Sequence, residues 1–153
     1  MQVVPGEKER VFQAPAPLVA VFYGVLAVWT VGTIPPIARR FMVGGFSGDW
    51  LFAFMIGFFY LYTWYWSLGL IYRISLDARG TIRLSSLRRR LEAPAAEVIA
   101  IEGSRFSGGF GFIRIKLPRE SVYLFCHRLG GDLEEILRLI KRANPLIRTV
   151  RIS

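Results

Sequence analysis

The chain has 153 residues, the length of one or two compact units. Hydrophobic residues make up 53% of it, only 20% are charged, and 20 Lys and Arg against 11 Asp and Glu leave a formal charge of +9. This combination excludes a disordered protein, a collagen-like repeat and an ordinary soluble enzyme domain. One cysteine, Cys126, and one histidine, His127, exclude an internal disulfide framework and a Cys- or His-rich metal cluster.

Two long stretches without a formal charge dominate the first half of the chain. The first runs from Val11 to Ala38, and the second runs from Trp50 to Tyr72. A bilayer core about 30 Å thick needs roughly 20 helical residues, so we predict transmembrane helices at about 17–37 and 50–72, the first closed by Pro35-Pro36. The alternatives are two buried helices of a soluble core, which the rest of the chain would hardly cover, and a cleaved signal peptide for the first stretch.

The charges around these stretches predict the topology. Because the connection between the stretches is short, they form an antiparallel hairpin with both ends on one side. Six arginines follow closely after the second stretch: Arg73, Arg79, Arg83, Arg88, Arg89 and Arg90. The connection itself carries only Arg39 and Arg40 as basic residues. The positive-inside rule therefore predicts an inner-membrane, multi-pass protein with both termini in the cytoplasm and residues 1–16 as an amino-terminal tail.

The second stretch is unusually aromatic, since nearly half of its residues are Phe, Tyr or Trp. One interpretation is that most of these side chains simply face lipid, and that Trp50 and Tyr72 lie at the two membrane interfaces, where aromatic rings are enriched. The other is a surface that packs against another membrane protein, a quinone or a pigment. The candidate packing residues are Phe58, Tyr62, Trp64, Tyr65 and Trp66.

From Arg73 onward the pattern becomes period-two, which is typical of strands. Alternation predicts a hairpin around a turn at Gly80 and further short strands up to Cys126, including 112–117, where Ile113 and Ile115 face the core. An apolar stripe after Asp132 predicts a carboxy-terminal helix with a capping box from Asp132 to Glu135 and an end at Asn144. The sequence thus predicts an α+β protein, in which residues 73–153 form a small, half-open antiparallel β-barrel capped by that helix.

Three segments of this region carry a resemblance to a known family. They are the D-x-x-G turn from Asp77 to Gly80, the segment P-A-A-E-V-I-A-I-E from Pro94, and F-G-F-I-R-I-K-L from Phe110. Together with the order of the elements over about residues 73–143, they resemble the bacterial pleckstrin-homology-like (PH-like) domains. The loop at 107–111 is richer in glycine than that pattern. The resemblance implies a PH-like fold after two membrane helices and a membrane-side adaptor role, and it carries no catalytic residues.

No pattern for catalysis or for a cofactor is present in the sequence. The glycine-rich segment 107–111 precedes a strand and lacks the lysine and the helix of a phosphate-binding loop. Cys126 and His127 are adjacent, so on a strand they face opposite sides and form no nucleophile–base pair. We therefore predict that the protein is not an enzyme and holds no metal or cofactor.

Arg88, Arg89 and Arg90 form the candidate binding cluster. Arginines near the inner leaflet are attracted to anionic lipid and grip phosphate groups, and the preceding hairpin returns this loop toward the membrane exit. The simpler interpretation is that these arginines only follow the positive-inside rule and bind nothing. Nucleic acid is not expected, because the region lacks a groove-reading helix and an aromatic platform.

Two functions follow from these patterns. The first is a membrane adaptor or scaffold that binds protein partners or anionic lipid headgroups. The alternative is an accessory subunit of a photosynthetic, respiratory or transport complex, which packs against other membrane proteins through its aromatic hairpin.

Overall fold

A computed structural model describes residues 9–44, 50–103, 111–126 and 131–150. Within those ranges the chain forms an α+β structure of three α-helices and eight strands, which divides into a helical unit, Ala16–Leu68, and a sheet unit built from the chain on either side of it. The helices are α1 (Ala16–Gly44), α2 (Trp50–Ser67) and α3 (Asp132–Ala143). The strands are β1 (Arg10–Gln13), β2 (Ile71–Leu76), β3 (Thr81–Ser86), β4 (Arg90–Pro94), β5 (Ala100–Gly103), β6 (Gly111–Lys116), β7 (Ser121–Cys126) and β8 (Arg148–Val150).

Of the described helices, α1 is the one that is long and apolar enough to cross a membrane. Its most apolar stretch has a mean hydropathy of 1.9, and none of its residues is buried. By length and composition the structure therefore has one candidate span where the sequence predicted two. The second predicted span, α2, carries no charge but has only 18 residues, six of which are the weakly hydropathic Tyr and Trp.

Both helices end at residues other than those predicted. α1 continues through Pro35 and Pro36 to Gly44. Proline fixes φ near the helical value, so it removes amide hydrogen bonds without necessarily ending the helix. α2 ends at Ser67 rather than near residue 72, because the chain from Ile71 is already paired as a strand of the sheet.

The strands form one mixed, open sheet, not the predicted antiparallel barrel. Their order is β4-β3-β2-β7-β6-β5-β8, with β1 also paired to β2, and the pairs β2–β7 and β5–β8 are parallel. The described pairings do not join β4 to β5. Pro94 ends β4 without an amide donor, and the short 3₁₀ turn Ala95–Glu97 leads the chain away from it. The apolar side chains of helix α3 pack into the same hydrophobic core as those of the strands.

The predicted strand pattern is otherwise confirmed. β2 and β3 form the hairpin, with a turn in which Gly80 has φ of +76° and its amide donates to the Asp77 carbonyl at 2.9 Å. Ile113 and Ile115 of β6 are both buried, whereas Lys116 is exposed. Most of the glycine-rich connection and His127 lie outside the described residues.

The amino-terminal segment, predicted as a tail, contains a strand of the sheet. β1 is antiparallel to β2, with Phe12 opposite Ile74. Phe12 packs against the core, and Arg10 forms a 3.1 Å salt bridge with Glu135 of α3. Four residues are too few for a period-two pattern to be recognised, so only the partner strand reveals this one.

Helix α3 has the predicted apolar stripe but not the predicted cap. Its stripe is wholly buried and consists of Leu133, Ile136, Leu137 and Ile140. The residue before the helix is Gly131, with φ of +60° and no side-chain cap, so the capping box was wrong. The end at Asn144 is confirmed, and its side-chain amide donates to the carbonyl oxygens of Ala96 and Val98 at 3.1 and 2.9 Å.

Candidate functional site

The candidate arginines lie in the tight turn between β3 and β4. Ser86, the last residue of β3, donates from its amide and its hydroxyl to the Arg89 carbonyl, each at 2.9 Å. The Arg89 amide returns a 3.0 Å hydrogen bond to the Ser86 hydroxyl oxygen. This reciprocal bonding holds the turn in one conformation and leads directly into Arg90, the first residue of β4.

The turn divides the three arginines into two groups. Nη2 of Arg89 lies 2.5 Å from Oε2 of Glu120, and 34% and 31% of the two side chains are exposed. Arg88 and Arg90 are exposed. The predicted cluster is therefore not a uniform cationic surface, because one member is engaged in an ion pair that the sequence did not reveal.

Glu120 belongs to the turn between β6 and β7. The Leu117 amide donates to the Glu120 carbonyl at 2.8 Å, which closes this turn, and Pro118 and Arg119 are exposed at its tip. The Arg89–Glu120 ion pair thus joins two turns that are far apart in sequence. Two loop tips, each carrying an exposed arginine, are held side by side.

These turns lie at one particular end of the sheet. Ser86 is opposite Ile71, the first residue of β2, and only three residues separate Ile71 from Ser67, the last of α2. The other connection to the helical unit leaves from the same place, since the Ala14 amide donates to the Tyr72 carbonyl at 2.7 Å. We call this the connection end of the sheet.

Several other arginines of the sheet unit are paired elsewhere. Arg114 bridges strands by contacting Glu102 at 3.3 Å and the Ser121 hydroxyl at 3.2 Å. Arg83 lies 3.1 Å from Glu92 on the neighbouring strand. Such cross-strand pairs on a partly exposed face stabilise the sheet modestly and leave little charge for a ligand there.

The helical unit is held by polar contacts between α1 and α2. The Tyr23 hydroxyl donates to the Ser67 carbonyl at 2.6 Å, and the Trp64 indole N–H donates to the Thr30 hydroxyl at 3.0 Å. A third bond joins the hydroxyls of Thr33 and Tyr60. From Tyr23 to Thr33 the contacts move toward the end of α1, and their partners move from Ser67 back to Tyr60, toward the start of α2. The two helices are therefore antiparallel.

The predicted packing aromatics fall on different faces of α2. Trp64 faces α1, as the hydrogen bond to Thr30 requires, whereas Phe58, Tyr62, Tyr65 and Trp66 are exposed. Two of the exposed rings continue a ladder from Phe54, with ring centroids 6.5 Å apart from Phe54 to Phe58 and 6.1 Å from Phe58 to Tyr62. This aromatic ladder is an ordered surface that α1 does not cover.

The sequence did not single out the aromatic contacts that join the helices. Trp29 of α1 stacks on Tyr60 at 4.7 Å, and Phe41 meets Phe52 at 6.1 Å. The sequence held one signal for this interface. Tyr23 and Thr30 are polar residues in an apolar run and are two helical turns apart, so they lie on one face of α1 and could bond to another helix.

Cys126 is a core residue. It is buried among the apolar side chains of the sheet unit, and burial raises the pKa of its thiol. A protonated, buried thiol is a poor nucleophile. Among the described residues no group of three or more Cys, His, Asp and Glu side chains is placed to hold a metal ion.

Comparison with known proteins adds no assignment. No protein-family model, curated protein or solved structure matches this chain. The resemblance to PH-like domains therefore stays a prediction from sequence segments.

Proposed function

We propose that the protein is a non-enzymatic membrane adaptor. In this proposal α1 and α2 cross the inner membrane as an antiparallel pair, and the sheet unit is a PH-like domain on the cytoplasmic side that works at the membrane surface. The observation that carries the proposal is the pairing of β1 with β2, because these strands immediately precede α1 and follow α2.

The pairing restricts the number of membrane crossings. β1 and β2 are registered over four residue pairs, from Arg10 with Leu76 to Gln13 with Arg73. A folded sheet lies on one side of a bilayer, so the chain between these strands crosses an even number of times. If α1 crosses, α2 must return. Its 18 residues span about 27 Å, close to the thickness of a bilayer core.

The polarity of the helical unit supports a lipid environment. The hydroxyl and indole groups that join α1 and α2 are turned toward each other, while Val25, Val28, Phe54 and Leu61 are exposed. A water-soluble helical pair would have the opposite arrangement. Hydrogen bonds between helices satisfy polar groups that lipid leaves without partners.

The side of the membrane is inferred from charge. The sheet unit from residue 73 onward carries sixteen Lys and Arg against eight Asp and Glu, whereas the basic residues near the other end of the helical pair are Arg39 and Arg40, in the last turns of α1. The larger basic segment flanks α2 directly, so the positive-inside rule favours the cytoplasm for the sheet unit and both termini.

Cysteine labelling in intact cells tests this topology. We expect Val43→Cys, near the end of α1, to react with a membrane-impermeant maleimide from the periplasmic side. Arg79→Cys, exposed in the β2–β3 turn, should react only after the membrane is permeabilised. The parent chain is the control, since its Cys126 is buried. Labelling of both positions from one side would refute the paired crossing.

A second candidate function, an accessory subunit of a larger membrane complex, is favoured by the aromatic ladder. Phe54, Phe58 and Tyr62 form a stacked, exposed row suited to packing on another transmembrane helix. The size of the particle extracted from native membranes in mild detergent separates the candidates. A free adaptor runs as a small particle, and a subunit co-migrates with a large complex.

A further inference from the structure

We propose that the two joined turns at the connection end form a docking rim for the anionic surface of the bilayer. The rim consists of Leu87, Arg88 and Arg90 from one turn with Pro118 and Arg119 from the other, and the Arg89–Glu120 ion pair joins the two turns. This inference rests on the proposed function, and it assigns a lipid-binding site to a specific edge of the sheet unit.

The position of the rim follows from strand register. Ser86 is opposite Ile71, and Arg89 contacts Glu120, so both turns flank the start of β2. Three residues between Ser67 and Ile71 limit the distance from the end of α2 to the sheet to roughly 14 Å, at about 3.5 Å per residue. The chain therefore tethers this edge, and not the Gly80 turn at the other end of β2, directly to the end of α2.

The chemistry of the rim matches a headgroup layer. Leu87 is 57% exposed at the tip of its turn, so its apolar side chain faces outward rather than into the core. Exposed arginines, Arg88, Arg90 and Arg119, lie beside it. An apolar tip among basic residues is the pattern of segments that rest at the boundary between headgroups and acyl chains.

The ion pair contributes by holding the rim in shape. Neutralising Glu120 with Arg89 removes the one carboxylate of the two turns from the surface facing an anionic membrane. The reciprocal Ser86–Arg89 hydrogen bonds fix the first turn, and the Leu117–Glu120 bond closes the second. Because the helices tether the rim beside the bilayer, weak attraction per residue suffices for docking.

The test uses the full chain reconstituted in liposomes and a fluorophore attached at single cysteines. Leu87→Cys reports the rim, Arg79→Cys reports the opposite turn, and Val25→Cys reports α1. In vesicles containing phosphatidylglycerol we expect lipids with a spin-labelled headgroup to quench the fluorophore at position 87 and not at 79. The quenching should fall in pure phosphatidylcholine and at 1 M salt, where the Debye length is about 3 Å.

Two double variants compare the loss of charge inside the rim with the same loss elsewhere on the sheet unit. Replacing Arg88 and Arg119 by alanine should shift the docked-to-undocked ratio at position 87 by about fivefold for each arginine. Replacing Arg79 and Arg142, which are also exposed, removes the same charge away from the rim and should leave the quenching unchanged. Equal losses in the two double variants would show that net charge alone acts and would overturn the site.

Position 25 separates failure of the rim from failure of the proposed function. Strong quenching there by lipids labelled in the acyl chain, with none at position 87 by headgroup labels, would refute the rim and leave the anchored adaptor standing. Absence of quenching at position 25 would refute the membrane crossing itself. Shielding at position 87 that requires an added protein and not anionic lipid would also overturn the proposal.

Discussion

The amide of Ala14 donates a 2.7 Å hydrogen bond to the carbonyl of Tyr72, although both helices of the helical unit lie between these residues in sequence. This bond extends the β1–β2 ladder to the point where the chain leaves for α1 and returns from α2. The whole helical unit is therefore an insertion between two neighbouring strands of one sheet. The amino-terminal segment therefore supplies one strand of the sheet, β1.

The first prediction concerns the dependence of the sheet on β1. A chain of residues 73–153 lacks β1 and the start of β2, including buried Ile71, so we expect it to be poorly folded. A chain in which residues 9–14 are joined through a short Gly-Ser linker to 69–153 should give dispersed amide resonances. Equal dispersion from both chains would mean that β1 is dispensable.

The second prediction concerns the strand register of β6. Ile115 is fully buried, so Ile115→Ala should lower the free energy of unfolding by about 2–5 kcal/mol. Lys116 is the next residue and faces solvent, so Lys116→Ala should change it by less than about 0.5 kcal/mol. Urea unfolding of the linked sheet unit measures both values. Similar effects of the two substitutions would contradict the alternation.

The third prediction concerns the Arg89–Glu120 ion pair. Both side chains are about one-third exposed, so solvent screening limits their coupling to about 1 kcal/mol. A double-mutant cycle with Arg89→Ala and Glu120→Ala, followed by urea unfolding, should give that coupling and lose most of it at high salt. The matched cycle with Arg79→Ala and Glu120→Ala should give coupling near zero, because exposed Arg79 lies in the turn at the other end of β2. A larger coupling for Arg79 than for Arg89 would contradict the geometry.

The fourth prediction concerns the helical interface. Thr30→Val removes the hydroxyl that accepts from the Trp64 indole. For helices that cross the membrane as proposed, we expect the free energy of unfolding to fall by about 0.6–1.7 kcal/mol, the range found for hydrogen bonds between membrane helices. Thr63→Val is the control, since the Thr63 hydroxyl donates to the Phe59 carbonyl of its own helix. Thermal unfolding in detergent compares them. A larger effect at Thr63 would place the interface on another face of α2.

The fifth prediction concerns the alkaline stability of the sheet unit. Burial raises the pKa of the Cys126 thiol above its ordinary value of 9.0, so the folded state holds this proton more tightly than the unfolded state. That contribution is complete below pH 9.0 and is lost as the pH rises through the folded pKa. The parent should therefore lose stability more steeply above pH 9.0 than Cys126→Ala. Parallel slopes would mean that the thiol is not buried.

Some of the candidate site was predictable. The arginines of the β3–β4 turn are a run in the sequence, and their return to the start of β2 followed from the lengths of two consecutive strands. The partner of Arg89 was not predictable, because Glu120 lies in a turn between two other strands. The same is true of Trp64, whose role depends on which face of α2 meets α1.

The sequence by itself determined what repeats locally. Long apolar runs, the alternation around Ile113 and Ile115, and the buried stripe of α3 all follow from burial that recurs at the period of a helix or strand. Only the tertiary structure decided the remainder: the early end of α2, the strand β1, the parallel pairing of β5 with β8 and the open edge at β4. Each depends on backbone hydrogen bonds between segments far apart in the chain, and no local pattern of side chains encodes which segment supplies the partner.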